Sequence, residues 1–163
     1  LILMGSARCT GSITNWLEAA RAASVVLTAF IPMLMDTGGN AGSQASVSIV
    51  RGLSLGEIEY RDVWRIIWKE ARVAVLCGVT LAAANFVKLL LLDRVELGVA
   101  IVVCSTLVLT VLVAKLVGCV LPIVAKRIGF DPAVMASPFI TTIVDALSLL
   151  IYFQIACAVL HIG

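Results

Sequence analysis

The sequence predicts an all-α protein embedded in a membrane, with five transmembrane helices per subunit. Three observations carry that prediction. Mean hydropathy is +1.11, and only 13% of the 163 residues are charged, where soluble domains run near a quarter. Residues 97–121 contain one charge, Lys115, and residues 132–163 contain one acid, Asp145. Each run exceeds the roughly 20 residues that cross about 30 Å of hydrocarbon. A chain of this size reads as one membrane domain, residues 1–163.

The first hydrophobic segment, about 1–17, carries Arg8 and is short enough to read as clipped at its front; it lacks the basic start of a signal peptide. The second runs from about 20 to 50. A charged stretch, "RGLSLGEIEYRDVWRIIWKEAR", follows at 51–72. Its apolar residues alternate with acids and bases, which suits either an amphipathic helix on the membrane surface or an extension of the third span anchored by Trp64 and Trp68. The third span is about 71–92, and "DRVE" at 93–96 marks a tight turn. The fourth is about 97–126 and the fifth about 132–160, with Asp131 as a candidate N-cap and Pro132 at an early helical position.

Charge sets an expected orientation. Arg51, Arg61, Arg65, Lys69 and Arg72 lie between spans two and three, with Lys126 and Arg127 between four and five. The positive-inside rule makes that side cytoplasmic, so the N-terminus is inside and the C-terminus outside. A net charge of +2 gives no basis for nucleic-acid binding. The five cysteines form no C-x-x-C pair and read as small buried hydrophobes.

Polar residues inside such segments are the informative ones. Asp145 has no charged neighbour within ten residues, and an aspartate at mid-span costs roughly 2.5 to 3.5 kcal/mol to insert. It needs a cation, water, a partner chain or a proton. Ser137, Thr141 and Asp145 fall at i, i+4 and i+8 on one helical face, a stripe of oxygen donors suited to a hard cation. The alternative is a protonated Asp145 hydrogen-bonded across a helix interface. Lys88 sits near a span end and reads as an interface anchor. Lys115 lies deeper, with no partner evident in the sequence.

The second segment interrupts its own apolar pattern with "DTGGNAGSQASVSIVRG", 36–52. Gly38, Gly42 and Ser46 are spaced by four, as are Gly39 and Ser43. That spacing fits a small-xxx-small packing face. It equally fits a helix loosened after Pro32, with Gly38, Gly39, Asn40, Gly42 and Gln44 lining a water-filled path. Asp36 belongs either to that path or to its rim.

"FIPMLMDTGGNAGSQASVSIVRGLSLGEI" (30–58) closely resembles the signature of the transmembrane domain of MgtE-type magnesium channels. "DPAVMASPFITTIVDALSLLIYF" (131–153) resembles that family's last helix, and the likeness continues through "WKEARVAVLCG" and "TLVLTVLVAKLVGCVLPIVAKRI". The resemblance implies a homodimer of five-helix subunits in the bacterial plasma membrane. Its pore for Mg²⁺ would run between the subunits, lined by helices two and five. The family's pore aspartate falls on Asp145, and its neighbouring pore positions on Thr141 and Ser137. Mg²⁺, held through its water shell, is then the bound and transported ion, with no organic cofactor. Full-length members carry a cytosolic magnesium-sensing regulatory domain, which is not expected within these 163 residues.

The competing reading is a carrier that couples divalent cations to Na⁺ or H⁺, for which broken-helix glycines and one titratable acid would serve. An enzyme is disfavoured, because the single histidine, His161, stands at the far C-terminus and no nucleophile–base set is evident. A purely structural membrane subunit would leave the Asp145 stripe unexplained.

Overall fold

The computed structural model describes residues 2–58, 60–134 and 138–160, with side chains described over 25–58, 61–134 and 139–160. Four long helices make up the described chain: α1 (Ile2–Ser54), α2 (Val63–Leu91), α3 (Leu97–Arg127) and α4 (Pro138–Leu160). A single 3₁₀ turn, Tyr60–Asp62, precedes α2. Among the described residues, α2, α3 and the stretch Phe139–Leu160 of α4 are long and apolar enough to cross a membrane.

The first two predicted segments form one helix here, not two. The joining sequence, "LEAARAA" at 17–23, consists of strong helix formers without glycine or proline, so nothing in it stops the helix. At 53 residues and 1.5 Å per residue, α1 is about 80 Å long, more than twice the roughly 30 Å of a hydrocarbon core. The stretch around Trp64 and Trp68 belongs to α2 itself. It extends the third span in continuous helix, and both indoles are exposed.

The helix ends follow from local chemistry. Gly56 and Gly129 adopt the left-handed conformation that glycine tolerates best. Each follows a helix whose final carbonyls are closed by the next residue, Glu57 N–H donating to Gly52 O and Phe130 N–H to Ala125 O. This is the Schellman pattern. The 93–96 turn forms as expected, with Lys88 Nζ 3.1 Å from Asp93 Oδ2. The Asp131 expectation needs correcting. Its Oδ1 accepts from Ala133 N–H at 2.9 Å, but residues 132–134 form a turn and α4 opens at Pro138. An aspartate side chain that bonds the backbone two residues on makes an Asx-turn as readily as a helix cap, and proline suits a first helical position.

Helix α3 is the centre of the bundle. It packs against α1, α2 and α4, while α1 and α4 also pack on each other. Half of its apolar window is buried, against 22% in α2 and α4. Glycines set how closely the helices approach. A Cβ on Gly118 of α3 would collide with the backbone carbonyl oxygen of Gly42 in α1, and one on Gly78 of α2 would stand 3.2 Å from Val108 Cα. Small residues matter most where apolar lipid offers helices no hydrophobic reason to associate. Two polar contacts tie the ends. Lys126 Nζ donates to Leu53 O at 2.9 Å, joining the α3 and α1 C-termini. At the other end, Tyr152 Oη donates to Leu27 O at 2.8 Å.

Candidate cation site between α1 and α4

The packing of α4 on α1 leaves a recess of about 160 Å³ lined by Met35, Asp36, Gly39, Asn40, Thr141 and Asp145. On α1 the spacing of Asp36 and Asn40 puts both on one face, and on α4 the same spacing aligns Thr141 with Asp145. Gly39 lies between the two helices. A Cβ there would stand 3.2 Å from Thr141 Cγ2 and 3.9 Å from Asp145 Oδ1, so the missing side chain keeps the recess open beside the carboxylate.

Two predicted site residues of α4, Asp145 and Thr141, therefore share a cavity with three of the predicted residues of α1: Asp36, Gly39 and Asn40. Ser137 lies outside the described residues. Gly38 and Gly42 are buried and turn elsewhere. A Cβ on Gly38 would meet Thr110 Cγ2 at 2.7 Å and Val144 Cγ1 at 3.0 Å; one on Gly42 would meet Ile140 Cγ2 at 3.0 Å and Ala114 O at 3.1 Å. These two act as packing positions against α3 and α4, whereas Gly39 belongs to the recess. Gln44 is exposed and stands outside the recess lining.

The sequence reading named Asp36, Asn40 and Gln44 singly but not their common register, nor Ser48. Asp36, Asn40, Gln44 and Ser48 recur every four residues along α1, and all four are exposed. The Ser48 hydroxyl donates back to Gln44 O at 3.1 Å within the same helix. Attention to the glycines, offset by one or two positions, hid this polar stripe, although its i, i+4 spacing was legible. At Asp36 and Asn40 the stripe meets α4, a helix that is otherwise strongly apolar, while Ser48 lines a separate recess with Arg51, Glu57 and Arg65.

The donors around the recess are oxygens of two carboxylates, a hydroxyl and an amide. That set suits a hard cation rather than zinc or copper. Among the described residues, no group of three or more His, Cys, Asp or Glu side chains is arranged to enclose a metal. An ion here would keep part of its water shell, and the recess has room for several waters.

Comparison with known proteins accords with this chemistry. A family model described as the divalent cation transporter MgtE matches residues 31–155. The chain is 35% identical over 162 residues to the magnesium transporter MgtE of Bacillus subtilis (strain 168), covering 99% of this chain and 36% of that protein. It is 36% identical over 160 residues to the Thermus thermophilus magnesium transporter MgtE, covering 96% and 34%. With the Enterococcus faecalis magnesium transporter MgtE it shares 33% over 150 residues, covering 90% and 32%. The chain thus spans about a third of the length of these relatives, which are named as transporters and not as enzymes. With apolar helices long enough to cross a bilayer and a match over most of its length, this chain is an integral membrane protein belonging to the MgtE family of divalent cation transporters.

Proposed function

We propose that this chain forms the ion-conducting part of a Mg²⁺ pathway in which two copies meet about a two-fold axis. The α1 stripe and the Thr141–Asp145 face of α4 then line the pore. The observation that supports this most is the exposed polar stripe Asp36–Asn40–Gln44–Ser48 of α1, whose first two residues share the recess with Asp145. At membrane depth such a face cannot rest against lipid tails without a cost of several kcal/mol. Water and a second copy of the chain relieve that cost together, and a dication between two Asp145 carboxylates offsets their mutual repulsion. Ser137, one turn before Thr141, extends the same line.

In this reading the ion passes largely hydrated, since Mg²⁺ sheds water reluctantly. Passage inward needs no pump. A dication crossing 100 mV gains about 4.6 kcal/mol, twice the single-charge value. The end bearing Arg51, Arg61, Arg65, Lys126 and Arg127 is placed in the cytoplasm of a bacterial cell, with the C-terminus outside. Five crossings per subunit are carried over from the family resemblance and would need α1, continuous in this structure, to break and turn back near residue 20. Regulation by a cytosolic magnesium-sensing domain is carried over from the family resemblance alone.

The test is Mg²⁺ uptake into liposomes containing the purified chain. Asp145→Ala abolishes uptake while the protein still elutes as a folded dimer. Wild-type uptake by that variant removes Asp145 from the pathway, and a monomeric wild-type protein that still conducts removes the dimer.

A further inference from the structure

On the side of α3 that packs against α2, the first turns of α2 and the last turns of α3 diverge around an apolar groove of about 660 Å³. Its walls are Val63 and Ile67 from α2 and Val120, Ile123 and Val124 from α3, and two further lining residues, Trp64 and Arg127, have a different character. Trp64 lies in the first turn of α2 and Arg127 in the last turn of α3, so both stand at the helix-terminal end of the groove. Trp64 is 81% exposed. Neither the Asp145 recess nor its lining residues take part in this groove.

We infer that this groove seats one anionic phospholipid, an acyl chain along Val63, Ile67, Val120 and Val124 and its phosphate at Arg127. The reason is charge and polarity matched along a single axis. The groove is apolar along its length and cationic at one end, and a tryptophan stands where amphipathic rings settle at the headgroup level. Basic residues outnumber acidic ones at this end of the bundle, which favours a negative headgroup over a zwitterionic one, while Arg65 and Lys69 themselves line a separate recess with Glu57, Asp62 and Glu70. Lys126 is engaged with Leu53 O, which leaves Arg127 as the basic side chain of the groove lining itself. Basic pockets between transmembrane helices at the cytoplasmic side are the sites where such headgroups bind. A guanidinium can hold phosphate oxygens through two parallel N–H donors.

Native mass spectrometry of the full chain, released from nanodiscs made with equal phosphatidylglycerol and phosphatidylcholine, tests this. The wild-type protein retains phosphatidylglycerol in preference. Arg127→Gln lowers that retention about fivefold, the effect of one basic residue near an anionic surface, and Val124→Trp lowers retention of either lipid by filling the groove. Millimolar inorganic phosphate leaves the retained lipid in place. Equal retention of the two lipids by the wild-type protein, or unchanged retention in Arg127→Gln, overturns the inference. So does efficient disulfide cross-linking of Val124→Cys between protomers, since a second copy would then fill the groove. If Val124→Trp fails to fold, Arg127→Gln alone decides. Because Asp145 takes no part, Asp145→Ala keeps its lipid preference even where it loses transport.

Discussion

Lys115 Nζ of α3 lies 3.1 Å from Glu70 Oε2 of α2, with their side chains only 13% and 19% exposed. The pair joins the middle of α3 to the early turns of α2, and a charge without a partner on an apolar helix is costly. Each ion makes the other tolerable, and breaking such a pair usually costs more than removing it entirely, because the survivor is left buried and uncompensated. Glu70→Leu and Lys115→Met are each expected to lower stability by about 3 kcal/mol. The double variant Glu70→Leu with Lys115→Met recovers most of that loss. Thermal unfolding of the four proteins in detergent gives the coupling. Additive losses would mean the two charges do not depend on one another.

The contact between Gly118 and Gly42 makes a sharper structural prediction. A methyl group at Gly118 would overlap the Gly42 carbonyl oxygen, a backbone atom that cannot turn aside as a side chain can. Pro122, four residues on, already denies the Gly118 carbonyl its helical N–H partner. Gly118→Ala therefore forces α1 and α3 apart, at a cost of at least about 1–3 kcal/mol. The expected readout is poor expression and a broadened elution profile, with residual protein unfolding at lower temperature. A variant with the parent's melting temperature would show that this crossing is looser than the distances imply.

Tyr152 offers a milder test of how α4 is held on α1. Its ring is buried and its hydroxyl donates to Leu27 O, one residue before Thr28, whose carbonyl has no N–H to receive at Pro32. Tyr152→Phe keeps the packing and deletes one hydrogen bond, so the expected loss is about 1 kcal/mol. Tyr152→Ala also removes the buried ring and should cost about 3–5 kcal/mol. Equal melting temperatures for Tyr152→Phe and the parent would show that Leu27 O finds another donor.

These contacts mark what was legible in the sequence. Apolar runs announced α3 nearly to the residue and the end of α2, though not its start eight residues earlier at Val63, and the spacing of Thr141 and Asp145 announced one wall of the recess, because period and hydropathy are local properties. The partner of Lys115 was not legible, since Glu70 lies 45 residues away and only the antiparallel packing of α2 on α3 makes them neighbours. Nor could spacing separate Gly39 from Gly38 and Gly42. All are small and polar-flanked, and only the angle at which α4 crosses α1 decides which faces Asp145. The division between the first two segments failed for the opposite reason. Hydropathy dips around Glu18 and Arg21, but the residues there favour helix, and local propensity carried α1 through.

Gly39 provides the discriminating experiment for the recess. Its methyl in Gly39→Ala would stand 3.2 Å from Thr141 Cγ2, tight enough for Thr141 to give way by a few tenths of an ångström, and would narrow the space beside Asp145 Oδ1. No backbone atom is displaced, and alanine favours helix over glycine by about 1 kcal/mol, so stability should stay within about 1 kcal/mol of the parent. If a largely hydrated ion passes here, Mg²⁺ uptake should fall by about tenfold or more, because an ion that strips its water reluctantly cannot adapt to a smaller passage. Asp36→Asn, which keeps the volume and removes one carboxylate from the same recess, should reduce uptake less than Asp145→Asn and should leave Gly39→Ala with no further Asp36-dependent loss. Uptake by Gly39→Ala equal to the parent, in a protein of unchanged stability, would mean that the ion's route does not pass between α1 and α4 at this level.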